Sequence, residues 1–401
     1  GKGDIAQNGK ETIIKQSTQG LNIKWQSFDV AKDERVQFIQ PNSSSTAFNH
    51  ILGHSASKIQ GQIDANGRVI LVNPHGVYFT DTASVNVGSL LASGLAMTPE
   101  SFLNSEFSFK ALEGADGAVI NQGIINAATG GSVTLLGKSV KNEGLITANL
   151  GSVSLAAGKQ AVLTFDDAGL MGVRVTEEVL QDEVGLEAAV INSGEIQAEG
   201  GQVLLSASTS QDIFSNAVNH SALEHSRSVV VHDDGSFTLG GGADVLNAGQ
   251  ITVSSSQEQS GDVVLIGENV TNSGTVSADG LGENGMAGRI ELHAVDNTLL
   301  VGGSAVTAVA KDQGLGGDIK ILGDKVGLFD QALVDASGAH GGGEALIGGD
   351  RTGLNLHIRN SEFIFLGEDS HVAVDGLFDG DGGKLITFAE DSARLFGELS
   401  A

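Results

Sequence analysis

The chain has 401 residues, of which 57 are glycine, 4% are aromatic and none is cysteine. With 49 acidic against 22 basic residues, the net charge of −27 argues against nucleic acid as a partner, because neutralising phosphates requires Lys and Arg. Aliphatic residues are plentiful, and no apolar run approaches the roughly 18 residues of a membrane-spanning helix. This composition favours a long, thin core of small side chains.

The first 45 residues alternate polar and apolar positions in short runs, a pattern typical of half-buried strands. The only tryptophan, Trp25, lies in one of these runs, and Phe28 follows it. Stacked folds need an end unit with a filled inner face and a polar outer one. We therefore predict an N-terminal cap over about residues 1–45.

Residues 60–79 contain two turn signals around one apolar run. Asn66-Gly67 is a preferred sequence for a type I′ turn, which predicts a β-hairpin with positive φ at both positions. The second turn is Asn73-Pro74-His75-Gly76, where Pro74 presets φ and Gly76 suits a left-handed exit. Residues 69–72 are continuously apolar, which predicts a strand buried on both faces.

An Asn-x-Gly phrase, followed by an aliphatic residue, recurs from residue 121 onward at roughly 20 to 25 residues where the repeats are tight. Its positions are Asn121 and Gly123, Asn142 and Gly144, Asn192 and Gly194, Asn247 and Gly249, and Asn272 and Gly274. We predict that the Asn side chains stack in an internal amide ladder. The glycines are predicted to form left-handed corners.

The recurrence in register predicts an all-β fold, a parallel β-solenoid in which each coil satisfies the unpaired backbone of the coil before it. A β-sandwich, the alternative, explains short strands but not the register. Three segments interrupt the period. Residues 159–189 predict a hairpin and a short acidic helix outside the rod, residues 208–219 predict a second helix, and residues 98–103 predict a short helix or turn.

Taken together, these motifs resemble the secretion domain of two-partner-secretion exoproteins (TpsA), the filamentous-haemagglutinin-like and high-molecular-weight adhesins of Gram-negative bacteria. The resemblance is close over about residues 1–260. Residues 261–401 resemble only the generic repeat, so the β-helix is expected to continue through them. The sequence reaches Leu395-Phe396 without a polar cap, from which we expect that the chain is truncated from a longer protein. The family turn is usually Asn-Pro-Asn-Gly, so His75 is a departure. A separate Asn-Pro-Asn-Leu motif is absent, which places the chain nearer the high-molecular-weight-adhesin branch.

The resemblance implies a right-handed parallel β-helix and a secreted or cell-surface adhesin that is a monomer. It implies export through the periplasm by a TpsB-type outer-membrane β-barrel transporter with POTRA domains, with the signal peptide absent from this chain. The rod would bind host or matrix carbohydrate, including that of a biofilm. The alternative is the N-terminal part of a secreted haemolysin or contact-dependent toxin.

The resemblance makes the turn Asn73, Pro74, His75 and Gly76 the candidate for partner recognition. The competing interpretation is that this turn only closes a coil. A test that follows both secretion and fold separates the two.

No group of residues predicts catalysis, so the chain is not expected to be an enzyme. A β-helix polysaccharide-degrading enzyme would need paired carboxylates across a groove, whereas the acidic pairs at 166–167, 177–178 and 182–183 lie on an interruption of the period. His220, His225 and His232 lack metal-ligand spacing. Asp375, Asp379 and Asp381, set among glycines, are the one candidate calcium site; a plain acidic turn is the competing interpretation.

Overall fold

A computed structural model describes residues 1–98, 101, 107–165, 171–177, 188–199, 201–207, 229–231, 237–239, 244–256, 259–283, 285–355 and 358–401. Within these ranges, no helix has the length and apolar character needed to cross a membrane. The acidic helix predicted within residues 159–189, the helix at 208–219, most of the 98–103 segment and the histidines at 220, 225 and 232 lie outside the described residues. Of the 98–103 segment, Thr98 Oγ1 accepts a hydrogen bond from the Ser101 N–H at 3.1 Å, as a helix cap would.

The described strands number 42 in chain order. The first half comprises β1 (Gly3–Asn8), β2 (Glu11–Gln16), β3 (Gly20–Trp25), β4 (Arg35–Ile39), β5 (Thr46–Ile51), β6 (Ser57–Ile59), β7 (Gln62–Ala65), β8 (Arg68–Val72), β9 (Val77–Phe79), β10 (Ser84–Val87), β11 (Ser89–Ser93), β12 (Ser108–Lys110), β13 (Ala118–Asn121), β14 (Ile124–Ala127), β15 (Ser132–Gly137), β16 (Ser139–Asn142), β17 (Leu145–Thr147), β18 (Ser152–Ala157), β19 (Gln160–Phe165), β20 (Met171–Glu177) and β21 (Val190–Asn192). The second half comprises β22 (Glu195–Gln197), β23 (Gln202–Ser206), β24 (Val229–Val231), β25 (Phe237–Leu239), β26 (Val245–Asn247), β27 (Gln250–Thr252), β28 (Asp262–Gly267), β29 (Val270–Asn272), β30 (Thr275–Ser277), β31 (Arg289–Ala294), β32 (Asn297–Leu300), β33 (Ala305–Thr307), β34 (Asp318–Leu322), β35 (Lys325–Leu328), β36 (Leu333–Asp335), β37 (Glu344–Ile347), β38 (Ser361–Leu366), β39 (His371–Ala373), β40 (Lys384–Thr387), β41 (Ala389–Leu395) and β42 (Glu398–Ser400).

Three long sheets carry most of these strands. The first sheet has the order β1-β2-β4-β7-β10-β14-β17-β22-β27-β30-β33-β36-β39-β42, and the second has the order β3-β5-β8-β11-β15-β18-β23-β28-β31-β34-β37-β40. The third runs β6-β9-β13-β16-β21-β26-β29-β32-β35-β38-β41. Within these sheets every pair is parallel except β1 with β2, and the chain visits the three sheets in turn. The predicted all-β parallel β-helix is confirmed.

Aliphatic side chains fill the interior in register, with one per strand in the first sheet. In the first sheet this column is Ile125, Ile146, Ile196, Ile251 and Val276, all fully buried, as the repeat phrase predicts. Similar columns line the inner faces of the other two sheets. Each coil therefore packs its core chiefly against the coils before and after it, which is how stacked repeats gain stability.

The second sheet is also buried on its outer face over part of its length. The predicted two-sided burial of residues 69–72 is confirmed: Val69 and Leu71 face the interior, while Ile70 and Val72 join an outer cluster. Strands β12, β19 and β20 form an antiparallel sheet that contributes Phe109, Leu163 and Val173 to that cluster, and β19 with β20 is the predicted hairpin. A further antiparallel pair is β24 with β25.

Asn66-Gly67 does not form the predicted hairpin. Strand β7 pairs in the first sheet and β8 in the second, and neither turn residue has positive φ. Asn66 instead clasps the backbone of Gln40, accepting from its N–H at 2.8 Å and donating to its carbonyl at 2.9 Å. A Cβ on Gly67 would lie 2.7 Å from the Ser45 carbonyl oxygen. The close approach between coils therefore explains why asparagine and glycine stand at these two positions, and the backbone dihedrals of a hairpin turn do not.

Candidate functional site

The turn at residues 73–76 joins β8 in the second sheet to β9 in the third. The Gly76 N–H donates to the Asn73 carbonyl at 2.9 Å, and Gly76 has φ of +113°, so the predicted turn is confirmed. Asn73 Oδ1 also accepts from the His75 N–H at 3.0 Å. Pro74 fixes its own φ and so favours this turn conformation.

Asn73 is fully buried and every polar atom of its side chain is used. Besides the bond from His75, its Nδ2 donates to the Ser55 carbonyl and to Ser57 Oγ, each at 3.0 Å. Its backbone N–H donates to the Ser93 carbonyl at 2.9 Å. Asn73 thus joins the preceding coil to the following one, and its side chain is closed to any outside partner in the folded chain.

The accessible parts of this region are two histidines and a tyrosine. The rings of exposed His54 and half-buried His75 meet edge to face with centroids 5.5 Å apart. Tyr78 donates to Asp116 Oδ2 at 2.7 Å, which ties β9 to the next coil. Burial first, and then the hydrogen bond to the Asp116 carboxylate, raise the pKa of Tyr78 to about 12.

The five repeat asparagines form the predicted amide ladder. Each pairs in register with the next at the corner between the third and first sheets, and all five are fully buried. Successive Nδ2-to-Oδ1 bonds measure 2.8, 2.8, 2.9 and 2.7 Å from Asn121 to Asn272. The register positions beyond the two ends are Phe79 and Leu300, where the ladder stops.

The prediction that the repeat glycines are left-handed is wrong. None of Gly123, Gly144, Gly194, Gly249 and Gly274 has positive φ. A Cβ on Gly249 would instead lie 2.0 Å from the carbonyl oxygen of Gly194 in the neighbouring coil, and at the other four glycines it would lie 2.0 to 2.5 Å from a backbone oxygen. The backbones of successive coils lie close together at the corner beside the ladder, and only glycine, which has no Cβ, fits there.

Two of the three candidate calcium residues have different side-chain partners. Asp375 accepts from Ser400 Oγ at 2.9 Å, and Asp379 contacts His340 Nδ1. Among the described residues, no three His, Cys, Asp or Glu side chains converge as a metal site would require. The geometry of these acidic residues therefore gives the calcium prediction no support.

A groove on the outer face of the third sheet was missed by the sequence analysis. It has a volume of about 560 Å³ and crosses β32, β35, β38 and β41. The signal in the sequence is Phe363-Ile364-Phe365, where alternation places both phenylalanines on the outer face and Ile364 in the core.

The comparison with known proteins identifies the family. A family model described as the TPS secretion domain matches residues 1–253. The chain belongs to the TPS secretion-domain family. The crystal structure of the HMW1 secretion domain from Haemophilus influenzae has the same fold, with a TM-score of 0.66 at 24% identity over 100% of this chain and 98% of that one.

Two relatives from Haemophilus influenzae are each named heme/hemopexin-binding protein. One, from strain ATCC 51907 / DSM 11121 / KW20 / Rd, is 34% identical over 215 residues, which are 52% of this chain and 22% of that protein. The other is 30% identical over 280 residues, which are 64% of this chain and 28% of that protein. The chain spans about a quarter of the length of these relatives.

Proposed function

We propose that this secretion domain is exported by a TpsB-type outer-membrane transporter that binds the 73–76 turn before the chain folds. The observation that carries the proposal is the complete burial of Asn73, with all its side-chain bonds made inside the molecule. A partner that depends on this residue must meet it in the extended chain. Periplasmic POTRA domains would bind such a segment by adding it as a strand to a sheet edge.

Folding of the emerging chain then favours outward movement. The ladder and the aliphatic columns join each coil chiefly to its neighbours, so coils can form one after another as they leave the transporter. Each completed coil buries its backbone polar groups and resists return. The protein is delivered to the cell surface or the medium.

The test co-expresses the chain and its transporter and measures both secretion and the stability of the purified domain. Asn73→Ala is expected to abolish secretion. Asn247→Ala is the matched control, because it removes an equally buried asparagine outside the turn. Secretion that fails only for Asn73→Ala supports recognition. Equal failure of the two variants means that secretion follows stability, and the recognition proposal is then wrong.

His75→Asn completes the experiment by restoring the usual family turn. Only the backbone N–H of residue 75 bonds to Asn73, so the substitution keeps that contact. We expect unchanged secretion at neutral and mildly acidic pH. Loss of secretion on acidification in the parent, but not in this variant, would assign a role to the histidine charge.

For the longer protein we propose two candidate roles. Adhesion to host or matrix carbohydrate is the role expected from the adhesin resemblance. Acquisition of haem, or binding of a haem-carrying protein, is favoured by the shared name of the two relatives. Binding of the full-length protein to immobilised hemopexin and to a carbohydrate array discriminates these roles. A cell-killing activity that depends on segments beyond residue 401 would instead support the toxin alternative.

A further inference from the structure

The outer groove of the third sheet is built from four successive coils near the end of the described chain. Register aligns Gly327 with Phe365 and Arg394, and Lys325 with Phe363 and Ser392. The floor lies at Gly327, where a Cβ would be 2.3 Å from the ring of Phe329. Glycine therefore lets the Phe329 ring lie flat across the sheet.

Three phenylalanines, Phe329, Phe363 and Phe365, line this groove, and Phe396 lies beside it. Phe329 and Phe365 stack with centroids 5.1 Å apart and planes inclined by 19°, and Phe396 continues the row 5.8 Å from Phe365. Phe363 is 40% exposed, and Phe329 and Phe365 are half-buried. A cluster of apolar rings at a protein surface often marks a binding site.

The rim adds positive charge in a molecule whose net charge is −27. Lys325 and Arg394 line the groove two strands apart, about 10 Å along the rod. Within the described part of the chain neither makes an ion pair, and Asp391 is the one carboxylate that lines the groove with them. The groove therefore combines apolar ring surfaces with a rim of net positive charge.

We propose that this groove binds a flat, apolar ring system that carries carboxylate groups, the chemistry of a porphyrin. The phenylalanine rings offer stacking faces for such a ring system. Lys325 and Arg394 match the carboxylates. The volume lies within the usual range for small-molecule sites.

The groove lining has no histidine, tyrosine, cysteine or methionine that would hold iron. Binding is therefore expected to depend on the ring and its carboxylates alone. For its ligand class the inference rests on the haem-related candidate role. The inference does not depend on the export proposal. Secretion and ligand binding are measured in separate experiments, so either proposal can be refuted while the other holds.

The experiment titrates the purified chain with iron-free protoporphyrin IX and with haemin, following porphyrin fluorescence anisotropy and Soret absorbance. We expect saturable binding of one equivalent, with the two dissociation constants within about threefold of each other. Phe363→Ser should weaken binding about tenfold, or about 1.4 kcal/mol. The double variant Lys325→Glu, Arg394→Glu should weaken it at least as much and remove its salt dependence.

Two matched controls distinguish binding in the groove from non-specific binding to exposed apolar or cationic side chains. Phe378→Ser removes a 75% exposed phenylalanine elsewhere, and Lys311→Glu reverses an exposed cation elsewhere. Both should bind like the parent. The proposal is overturned by the absence of saturable binding up to about 100 μM, by equal loss in the controls, or by tighter binding of a uronic-acid oligosaccharide than of the porphyrin.

Discussion

Asn121 donates from its side-chain amide to the side chain of Asn142 in the next coil at 2.8 Å, with both residues fully buried. The bond is the first of four in a row, so each interior asparagine is donor and acceptor at once. A one-residue slip between coils would leave buried amide groups without partners, so the row favours the correct register.

Replacement of an interior ladder residue is predicted to cost more than replacement of the last one. Asn192→Leu removes two ladder bonds, one from Asn142 Nδ2 and one to Asn247 Oδ1, so we expect a loss of about 2–4 kcal/mol in unfolding free energy. Asn272→Leu removes only the ladder bond from Asn247 Nδ2 and places leucine beside Leu300, so about half that loss is expected. Equilibrium urea unfolding measures both, and equal losses would contradict the ladder.

The glycine stack beside the ladder is predicted to reject even one methyl group. Gly249→Ala places a Cβ 2.0 Å from a backbone oxygen that cannot move without separating two coils, so we expect a loss of about 3 kcal/mol or more. Gly302→Ala is the control, since Gly302 has φ of +63° but no atom closer than 3.9 Å. Its cost is confined to backbone strain, about 1–2 kcal/mol. A milder effect at Gly249 than at Gly302 would refute the crowding argument.

The fold and the ladder were predictable because a β-helix repeats its own sequence pattern. The ladder asparagines lie at corresponding places in successive coils, and this periodicity is visible in the chain. The hairpin prediction at Asn66-Gly67 was wrong because a hairpin turn and a corner between two sheets use the same local residues. Only the contact with Gln40, distant in sequence, distinguishes the corner from the hairpin. The groove was invisible for a related reason: Phe329, Phe365 and Phe396 come together through coil stacking, not through a repeated phrase.

The only tyrosine reports on the region beside the 73–76 turn. Because the pKa of Tyr78 is raised to about 12 in the folded chain, its ultraviolet ionisation should occur near that pH, and near 10 in denaturant. The raised pKa means that the associated stability is present below pH 10 and is lost as the pH rises from 10 to 12. Asp116→Asn should lower the folded pKa part of the way. Native ionisation at about 10 would show that the contact is absent.

Calcium is predicted to have little effect on stability. Asp375 and Asp379 already contact Ser400 and His340, and among the described residues no three carboxylate or histidine side chains converge as a Ca²⁺ site would require. Thermal unfolding in about 5 mM calcium should shift by less than about 1 °C relative to the same concentration of magnesium. A larger, calcium-specific rise that disappears in Asp381→Asn would restore the glycine-aspartate loop as a calcium site.

Glu291 is predicted to give part of the acid sensitivity of the rod. It lies on the outer face of the second sheet, 3.3 Å from His293 Nδ1 and 3.7 Å from Lys320 Nζ. Burial acts to raise the pKa of Glu291, but the hydrogen bond with His293 and the charge of Lys320 together hold that pKa below its usual 4.5. A carboxylate with a lowered folded pKa adds stability above its unfolded pKa and loses it as the pH falls through the folded value. Glu291→Gln should therefore narrow the difference in urea midpoint between about pH 6 and about pH 3. An unchanged pH dependence in Glu291→Gln would mean that the effect of burial on the pKa of Glu291 cancels the effects of His293 and Lys320.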